Sequence, residues 1–297
     1  MRLPLLRGGR PLKRWRYVGV FCEELMACAA LVRVGPASQV FWAVYTREDG
    51  RLRERTRTLL RRGATVGLAP GRMSVRDRDV GLELVLHEDG GIQTRCAHHG
   101  DARGARDPGR KTRPGARAYG LGAGAAALGA GEVWTRKQAG VRAHGTLTLG
   151  DGSPRSIEAA AVIDDTVGYH PRETEWWWSA GVGTGEDGAA LAWNLVAGVN
   201  DPPAGSERAV WVDGLPSETA PVRFAADLSE IVAEGAASID DGLQLHFTAE
   251  AVRVRHENLV LLSSDYTAPF GAFSGTLPGG VRLASGLGVI EHHRARW

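Results

Sequence analysis

Apolar and polar residues alternate with a period of two along much of this chain, the spacing of strands with one buried face. Gly81 to His87 sets Leu82, Leu84 and Leu86 against Glu83, Val85 and His87. Gln39 to Tyr45, Arg51 to Thr56, Val141 to Leu149, Ala189 to Val196 and Ala209 to Asp213 have the same strand character, as do Leu243 to Ala251 and Val252 to Leu262. Asp-Gly, a strong hairpin signal, occurs at Asp49-Gly50, Asp89-Gly90, Asp151-Gly152, Asp187-Gly188, Asp213-Gly214 and Asp241-Gly242. Short strands separated by frequent turns predict an antiparallel sandwich or barrel, so the fold class is all-β. Two stretches read as short helices instead: Glu23 to Leu31, and Asp227 to Glu234 with Asp227 as N-cap. Gly100 to Gly131, rich in Gly, Ala and Arg, buries too little apolar surface to offset its ordering entropy and reads as a mobile loop or linker. The expected division is a first half over 1–158, containing that loop, and a second over 159–297.

Composition narrows the class without choosing an activity. The 297 residues are 43% hydrophobic and 24% charged, with 40 glycines that fit a turn-rich fold. The longest apolar run, Leu25 to Val32, is far short of the ~20 residues of a membrane helix. Met1 to Tyr17 is basic but lacks the apolar core of a secretory signal. Cys22, Cys28 and Cys96 cannot all pair and none lies in a CxxC, which points away from a disulfide scaffold or structural zinc and towards a reducing cytoplasm. Charge is divided unevenly: residues 1–150 hold 27 basic and 13 acidic side chains, a balance of +14, and residues 151–297 hold 9 and 21, a balance of −12. Two halves facing each other within one molecule account for this, with polyanion binding through the basic half as a weaker alternative. Few aromatics interleave with the arginines between Arg47 and Arg117, so no nucleic-acid partner is expected.

Several motifs are set aside. Gly183 to Gly188 spells GxGxxG, but the segment that follows reads as strand and no βαβ unit surrounds it, so a hairpin tip is expected rather than a dinucleotide cofactor site. His98-His99 and His292-His293 are adjacent pairs whose members point to opposite faces of a strand, so neither suggests a metal. No metal and no cofactor are expected.

One constellation does suggest chemistry. Asp164, Asp165, Tyr169 and His170 fall within seven residues, followed by Trp176, Trp177 and Trp178. On a strand Trp176 and Trp178 share a face, and Trp193 and Trp211 on following strands extend an aromatic wall. A carboxylic acid whose pKa is raised by burial could protonate an alkene or epoxide there, with indole faces stabilising the cation. The corresponding bland reading makes the tryptophans core fillers, the Asp-Asp pair a turn, and Arg172 its ion-pair partner.

Five stretches resemble the family known as domain of unknown function 2804. They are Arg10 to Tyr17, Trp134 to Gly140, Asp164-Asp165-x-x-Gly168-Tyr169-His170, Ser206 to Gly214, and the tail from Pro269 through Gly288 to Trp297. Gly100 to Gly131 departs from that family's pattern. More distantly the chain resembles the two-barrel lipocalin-like proteins that include hydroxyneurosporene synthase, a carotenoid hydratase, and pericyclic cyclases. There an Asp-His-x-x-Gly-like element and tryptophans line a pocket between two barrels; here His170 falls at a different place. The resemblance implies two lipocalin-like antiparallel halves packed together. The function expected is an acid–base enzyme of hydratase, cyclase or isomerase type acting on a bulky apolar small molecule. Asp165 is the expected general acid, Asp164 its alternative, and His170 or Tyr169 the hydrogen-bonding partner. Glu291 and His292 close the site. Trp176, Trp178, Trp193, Trp211, Arg172 and Asn194 are the expected ligand contacts. The alternative is a non-catalytic carrier or sensor of lipophilic molecules.

Overall fold

The computed structural model describes residues 3–58, 66–88, 94–99, 132–235, 242–259 and 262–296, and its regular structure is strand, with no α-helix among these residues. The Gly100–Gly131 stretch, Asp89-Gly90 and Asp241 lie outside them. A short ladder of β1 (Leu6–Arg7) and β2 (Arg10–Pro11) precedes two large antiparallel sheets. The first holds β3 (Lys13–Phe21), β4 (Leu25–Val34), β5 (Ala37–Thr46), β6 (Arg51–Thr58), β7 (Val66–Ala69), β8 (Arg72–Asp77), β9 (Val80–Leu86), β10 (Thr94–His99), β11 (Glu132–Leu149) and β12 (Arg155–Gly168). The second holds β13 (Glu173–Gly185), β14 (Ala190–Ala197), β15 (Ala209–Val212), β16 (Leu215–Glu218), β17 (Val222–Phe224), β18 (Glu230–Ala233), β19 (Gln244–Leu259), β20 (Leu262–Leu277) and β21 (Val281–Arg296).

Both sheets are wired alike. Four strands run outward from the first strand, the next returns at the far edge, and the chain works back until the last strand pairs with the first. The order is β6-β5-β4-β3-β12-β11-β9-β8-β7, with β10 also on β11, and then β16-β15-β14-β13-β21-β20-β19-β18-β17. Each open edge therefore falls between consecutive strands, β6 and β7 or β16 and β17. The two halves are topological repeats, and the pairs β3–β12 and β13–β21 are their seams. The expected division at 158/159 falls inside β12, which pairs with β3 as far as Gly168, so the chain leaves the first sheet there.

Alternation decides where each seam residue goes. One core, with Val18, Val20, Ala27, Ala29, Trp42, Leu82, Leu84 and Ile163, draws on almost every strand of the first sheet, which curls around it. A second, with Trp193, Leu195, Ile231, Leu245, Phe273 and Ile290, fills the second sheet in the same way. A third layer lies between the sheets and contains Tyr17, Met26, Cys28, Ala30, Val162, Trp178, Tyr266 and Val289. Strand β4 feeds two of these cores in strict alternation: Leu25, Ala27 and Ala29 inward, Met26, Cys28 and Ala30 between the sheets.

That double burial corrects the first helix expectation. A strand covered on both faces has no polar positions to show its period, and an Ala-rich run then reads as helix. The second expected helix, Asp227 to Glu234, is a turn leading into β18. The Asp227 carboxylate accepts the Ser229 backbone N–H at 3.1 Å and its hydroxyl at 2.6 Å, while Leu228 sits at φ 62°. The expected strands Leu243–Ala251 and Val252–Leu262 are largely one strand, β19, whose register shifts at a bulge between Ala249 and Ala251. Asp213-Gly214 is a two-residue hairpin with both φ values positive, 49° and 79°. Gly183 to Gly188 ends β13 at its hairpin with β14, where the Gly188 N–H bonds the Gly185 carbonyl at 2.9 Å.

The second barrel also depends on close approach at its seam. Gly181 and Gly288 are register partners, and the Trp193 indole lies over Gly181. A Cβ on Gly181 would come within 2.2 Å of the Trp193 ring and 2.7 Å of the Leu287 carbonyl. Gly181→Ala is expected to lower stability by about 1–3 kcal/mol through overpacking, measured as a shifted urea midpoint with an altered near-ultraviolet tryptophan signal.

Candidate functional site

The layer between the barrels is not filled completely. Facing the two seams is a cavity of about 250 Å³, lined from the first barrel by Trp15, Tyr17, Ala30, Val32, Phe41, Lys137, Asp164 and His170. The second barrel contributes Trp176, Trp178, Val196, Arg253, Tyr266, Glu291 and His293. Both barrels are needed to enclose it.

The two aspartates separate because they are neighbours on β12. Asp164 faces the cavity and Asp165 turns to the inner face of the first barrel, in line with Ile163 and Ala161. Asp165 is there enclosed in an ion cluster: Arg16 Nη1 donates to both its oxygens at 3.0 and 2.9 Å, and Arg136 Nη2 to Oδ2 at 2.5 Å. Glu88 completes this set through Arg16 and through Arg136. A carboxylate so occupied, and on the wrong face, cannot serve as the general acid of this cavity, which corrects the role expected of Asp165.

Asp164 anchors a different arrangement. Its Oδ2 accepts the Trp15 indole N–H at 2.9 Å and meets Lys137 Nζ at 2.8 Å, while Oδ1 accepts the Thr166 hydroxyl at 2.9 Å. Lys137 also meets Glu207 at 3.3 Å. Burial opposes the charge on Lys137, but the Asp164 and Glu207 carboxylates outweigh it and hold its pKa above the usual lysine value. Burial raises that of Glu207, against the pull of Lys137.

On the opposite wall stands Glu291. Its carboxyl accepts the Trp176 indole N–H at 2.8 Å and shares a hydrogen bond with Tyr266. Burial pushes its pKa up to about 7, assisted by the Asp164 charge and opposed by the bonds from Trp176 and Tyr266. Tyr266 in turn lies 4.9 Å from the Arg253 guanidinium, which rests over Phe41 at 4.3 Å and bonds Thr56 at 2.7 Å and Glu54 at 3.0 Å on β6. Arg253 so ties the second barrel to the open edge of the first.

The other expected residues divide. Trp176 and Trp178 face the cavity, and Trp178 is fixed by its N–H bond to Asn194 Oδ1 at 2.8 Å. Asn194 lies behind it, donating to the Glu207 carbonyl at 2.8 Å, and supports the wall without lining the cavity. His170 lines the cavity, whereas Tyr169 points away and donates to the Pro4 carbonyl at 2.8 Å. His292 is on the other face of β21, stacked on Trp177 and bonded to Glu175 at 2.9 Å; its neighbour His293 takes the cavity position. Trp193 faces the interior of the second barrel, and Trp211 packs in the layer between the sheets but does not line the cavity. Arg172 is exposed in the link after β12. Among the described residues no group of three His, Cys, Asp or Glu side chains could hold a metal ion.

Sequence reasoning missed Lys137, Glu207, Trp15, Tyr266, Arg253 and His293. Lysine scarcity was a usable signal: Lys13, Lys111 and Lys137 are the three lysines among 36 basic residues, and Lys13 and Lys137 are both buried. A chain that uses arginine almost everywhere keeps the compact ammonium where two carboxylates must be met in a confined space.

The fold and its cavity define a two-barrel, lipocalin-like protein with a ligand-sized hollow between the barrels. The chain belongs to the DUF2804 family, described as a domain of unknown function, whose model matches residues 131–297. That range includes Lys137, Asp164, His170 and Glu291 and leaves out Trp15 and Tyr17. Among solved structures it is similar to an AttH candidate from Nitrosomonas europaea, with 13% identity, a TM-score of 0.52, and coverage of 98% of this chain and 96% of the other. Another similar structure is kievitone hydratase from Nectria haematococca, with 9% identity, a TM-score of 0.48, and coverage of 96% and 88%. A search of curated proteins finds no match.

Two predictions follow from the charges. Lys137→Met strands Asp164 and Glu207 as buried acids and is expected to cost about 3–5 kcal/mol in urea unfolding, most of it recovered in the Lys137→Met, Asp164→Asn, Glu207→Gln triple variant. Between pH 4.5 and about 7 the unfolded chain has released the Glu291 proton that the folded chain retains, so this group lowers stability as pH rises through that window. Glu291→Gln should therefore gain on the wild type across that range, reaching roughly 3 kcal/mol by pH 7.5 in paired urea titrations.

Proposed function

We propose that the protein is an acid–base enzyme of hydratase, cyclase or isomerase type, acting on a bulky apolar small molecule held between its barrels. The observation that carries this reading is Glu291: a buried carboxyl facing an aromatic cavity, with a pKa raised to about 7, can exist protonated near neutral pH and still ionise. In this reading Glu291 gives its proton to a carbon of an alkene, breaking the π bond and leaving a carbocation. The Trp176 and Trp178 faces and the Asp164 carboxylate stabilise that cation. Water addition with loss of a proton completes a hydration. Loss of a neighbouring proton completes an isomerisation; attack by a second double bond forms a ring and moves the cation, and proton loss beside the new cation completes a cyclisation, the released proton returning to the carboxylate. Trp176 and Tyr266 orient the Glu291 carboxyl.

Incubation with a lipophilic extract of the producing cells in D₂O tests this reading. The expected result is a product bearing one carbon-bound deuterium, formed by the wild type and reduced at least about 100-fold in Glu291→Gln. Asp165→Asn should retain turnover per folded molecule while losing stability, because it leaves Arg16 and Arg136 short of a counter-charge. Recovery of an unchanged, undeuterated compound by every form, with tight retention that depends on Trp178, would replace catalysis with carriage.

A further inference from the structure

At the β12 end of the cavity one buried polar atom has no partner. Tyr169 is drawn away by its hydroxyl bond to Pro4, and the Pro171 carbonyl accepts Lys13 Nζ at 3.2 Å. Held on both sides, His170 is turned into the cavity, its ring leaning on the Trp15 indole with centroids 5.0 Å apart and planes 31° apart. It is 5% exposed, and its Nε2 meets no hydrogen-bonding group among the described residues. Nearby polar groups are committed elsewhere: Trp15 to Asp164, Lys137 to Asp164 and Glu207. An unmet buried nitrogen is a cost to the fold, and a ligand that bonds it recovers that free energy on binding.

The surroundings select the ligand group. Burial, with the charges of Lys13 and Lys137, pushes the His170 pKa down to about 3, so the ring is neutral near pH 7. Nε2 of a neutral imidazole donates or accepts according to its tautomer. A ligand carboxylate would crowd Asp164, and a ligand ammonium would face the same lysine charges that keep the ring neutral. A hydroxyl meets either tautomer without bringing charge.

We propose that His170 Nε2 is the recognition point for a hydroxyl group, so that the cavity takes alcohols, phenols or enols with their oxygen at the Trp15–His170 end and their apolar body along Trp176 and Trp178. This rests on the reading of the cavity as a site for apolar small molecules and adds the functional group that orients them.

The test uses 2-naphthol and 2-methylnaphthalene, which differ by hydroxyl against methyl. Equilibrium dialysis gives the ratio of their affinities for the wild type, His170→Phe and His170→Gln. The preference for naphthol is expected to fall about five- to tenfold in His170→Phe and to stay within about twofold of wild type in His170→Gln. In the wild type the His170 Nε2 nitrogen resonance should move with naphthol and hold still with methylnaphthalene, a readout that needs no variant to fold. Binding of both compounds with an unchanged ratio and an unmoved resonance overturns the hydroxyl proposal and leaves the apolar cavity standing. Binding of neither compound to the wild type overturns both.

Discussion

Strands β3, β12, β13 and β21 are covered on both faces, by their own barrel on one side and by the opposite barrel on the other, and the chemistry of the protein follows from that double burial. Along the doubly covered stretch of such a strand, adjacent residues are assigned to different cores. Asp164 and Asp165 therefore have separate fates, and so do Glu291 and His292. One member of each pair meets the cavity, and its neighbour is used inside or at the end of a barrel. A slip of one residue in the register of β12 would exchange the roles of the two aspartates and place the Arg16 and Arg136 partner in the cavity.

Burying charge in such a layer is unfavourable unless partners are close, and the two faces of the first barrel's seam solve this differently. Around Asp165 the solution is dense: Arg16 and Arg136 each lie against both Asp165 and Glu88. Around Asp164 a single ammonium serves two carboxylates, so one negative charge too many is confined there, and burial favours Glu207 as the group that takes up a proton. Across the cavity burial raises the proton affinity of Glu291, and the Asp164 charge adds to that rise. Burial, with the Lys13 and Lys137 charges, keeps the His170 ring uncharged. On top of the burial that acts on each group separately, Lys137 acts on His170 and Asp164 on Glu291. Three salt bridges between described residues cross between the barrels: Lys137–Glu207, Arg47–Glu250 and Arg253–Glu54. Two of them run from a basic first half to an acidic second half, the arrangement that the uneven charge of the sequence suggests.

How far this could be read from sequence depended on whether a residue's partners are local. The hairpins were legible because Asp-Gly fixes its turn within two residues, as at Asp213-Gly214. Strands outside the contact between the sheets, such as β9, declared themselves because one face is buried and the other is not. Strand β4 did not, since its two apolar faces abolish the alternation on which the reading depends. The tryptophan wall was half legible: Trp176 and Trp178 follow from spacing, but Trp193 and Trp211 were assigned to the same wall without a register to place them. For the acids, spacing could say that one of Asp164 and Asp165 faces a given side and could not say which. That choice is made by Trp15, Lys137 and Arg16, which reach β12 only through pairing of strands distant in sequence. Of the string Asp164 to His170, Asp164 and His170 meet the cavity.

Because the barrels repeat one topology, the cavity is formed where two equivalent seams meet, and neither half contains a site by itself. The first seam brings Trp15, Asp164 and, through β11, Lys137; the second brings Trp176, Glu291 and, through β20, Tyr266. The separation between these walls is set by what fills the layer around them, and there the side chains facing across are small: Cys28, Ala30 and Ala43 from the first sheet, Ala180, Ala192 and Ala268 from the second. Small residues let the sheets approach where they touch, and the bulky indoles at the edge of the contact keep them apart where they do not. Sheets of fixed curvature packed on such a surface leave a gap of defined width, and each of its walls pairs an indole with a buried acid, Trp15 with Asp164 and Trp176 with Glu291.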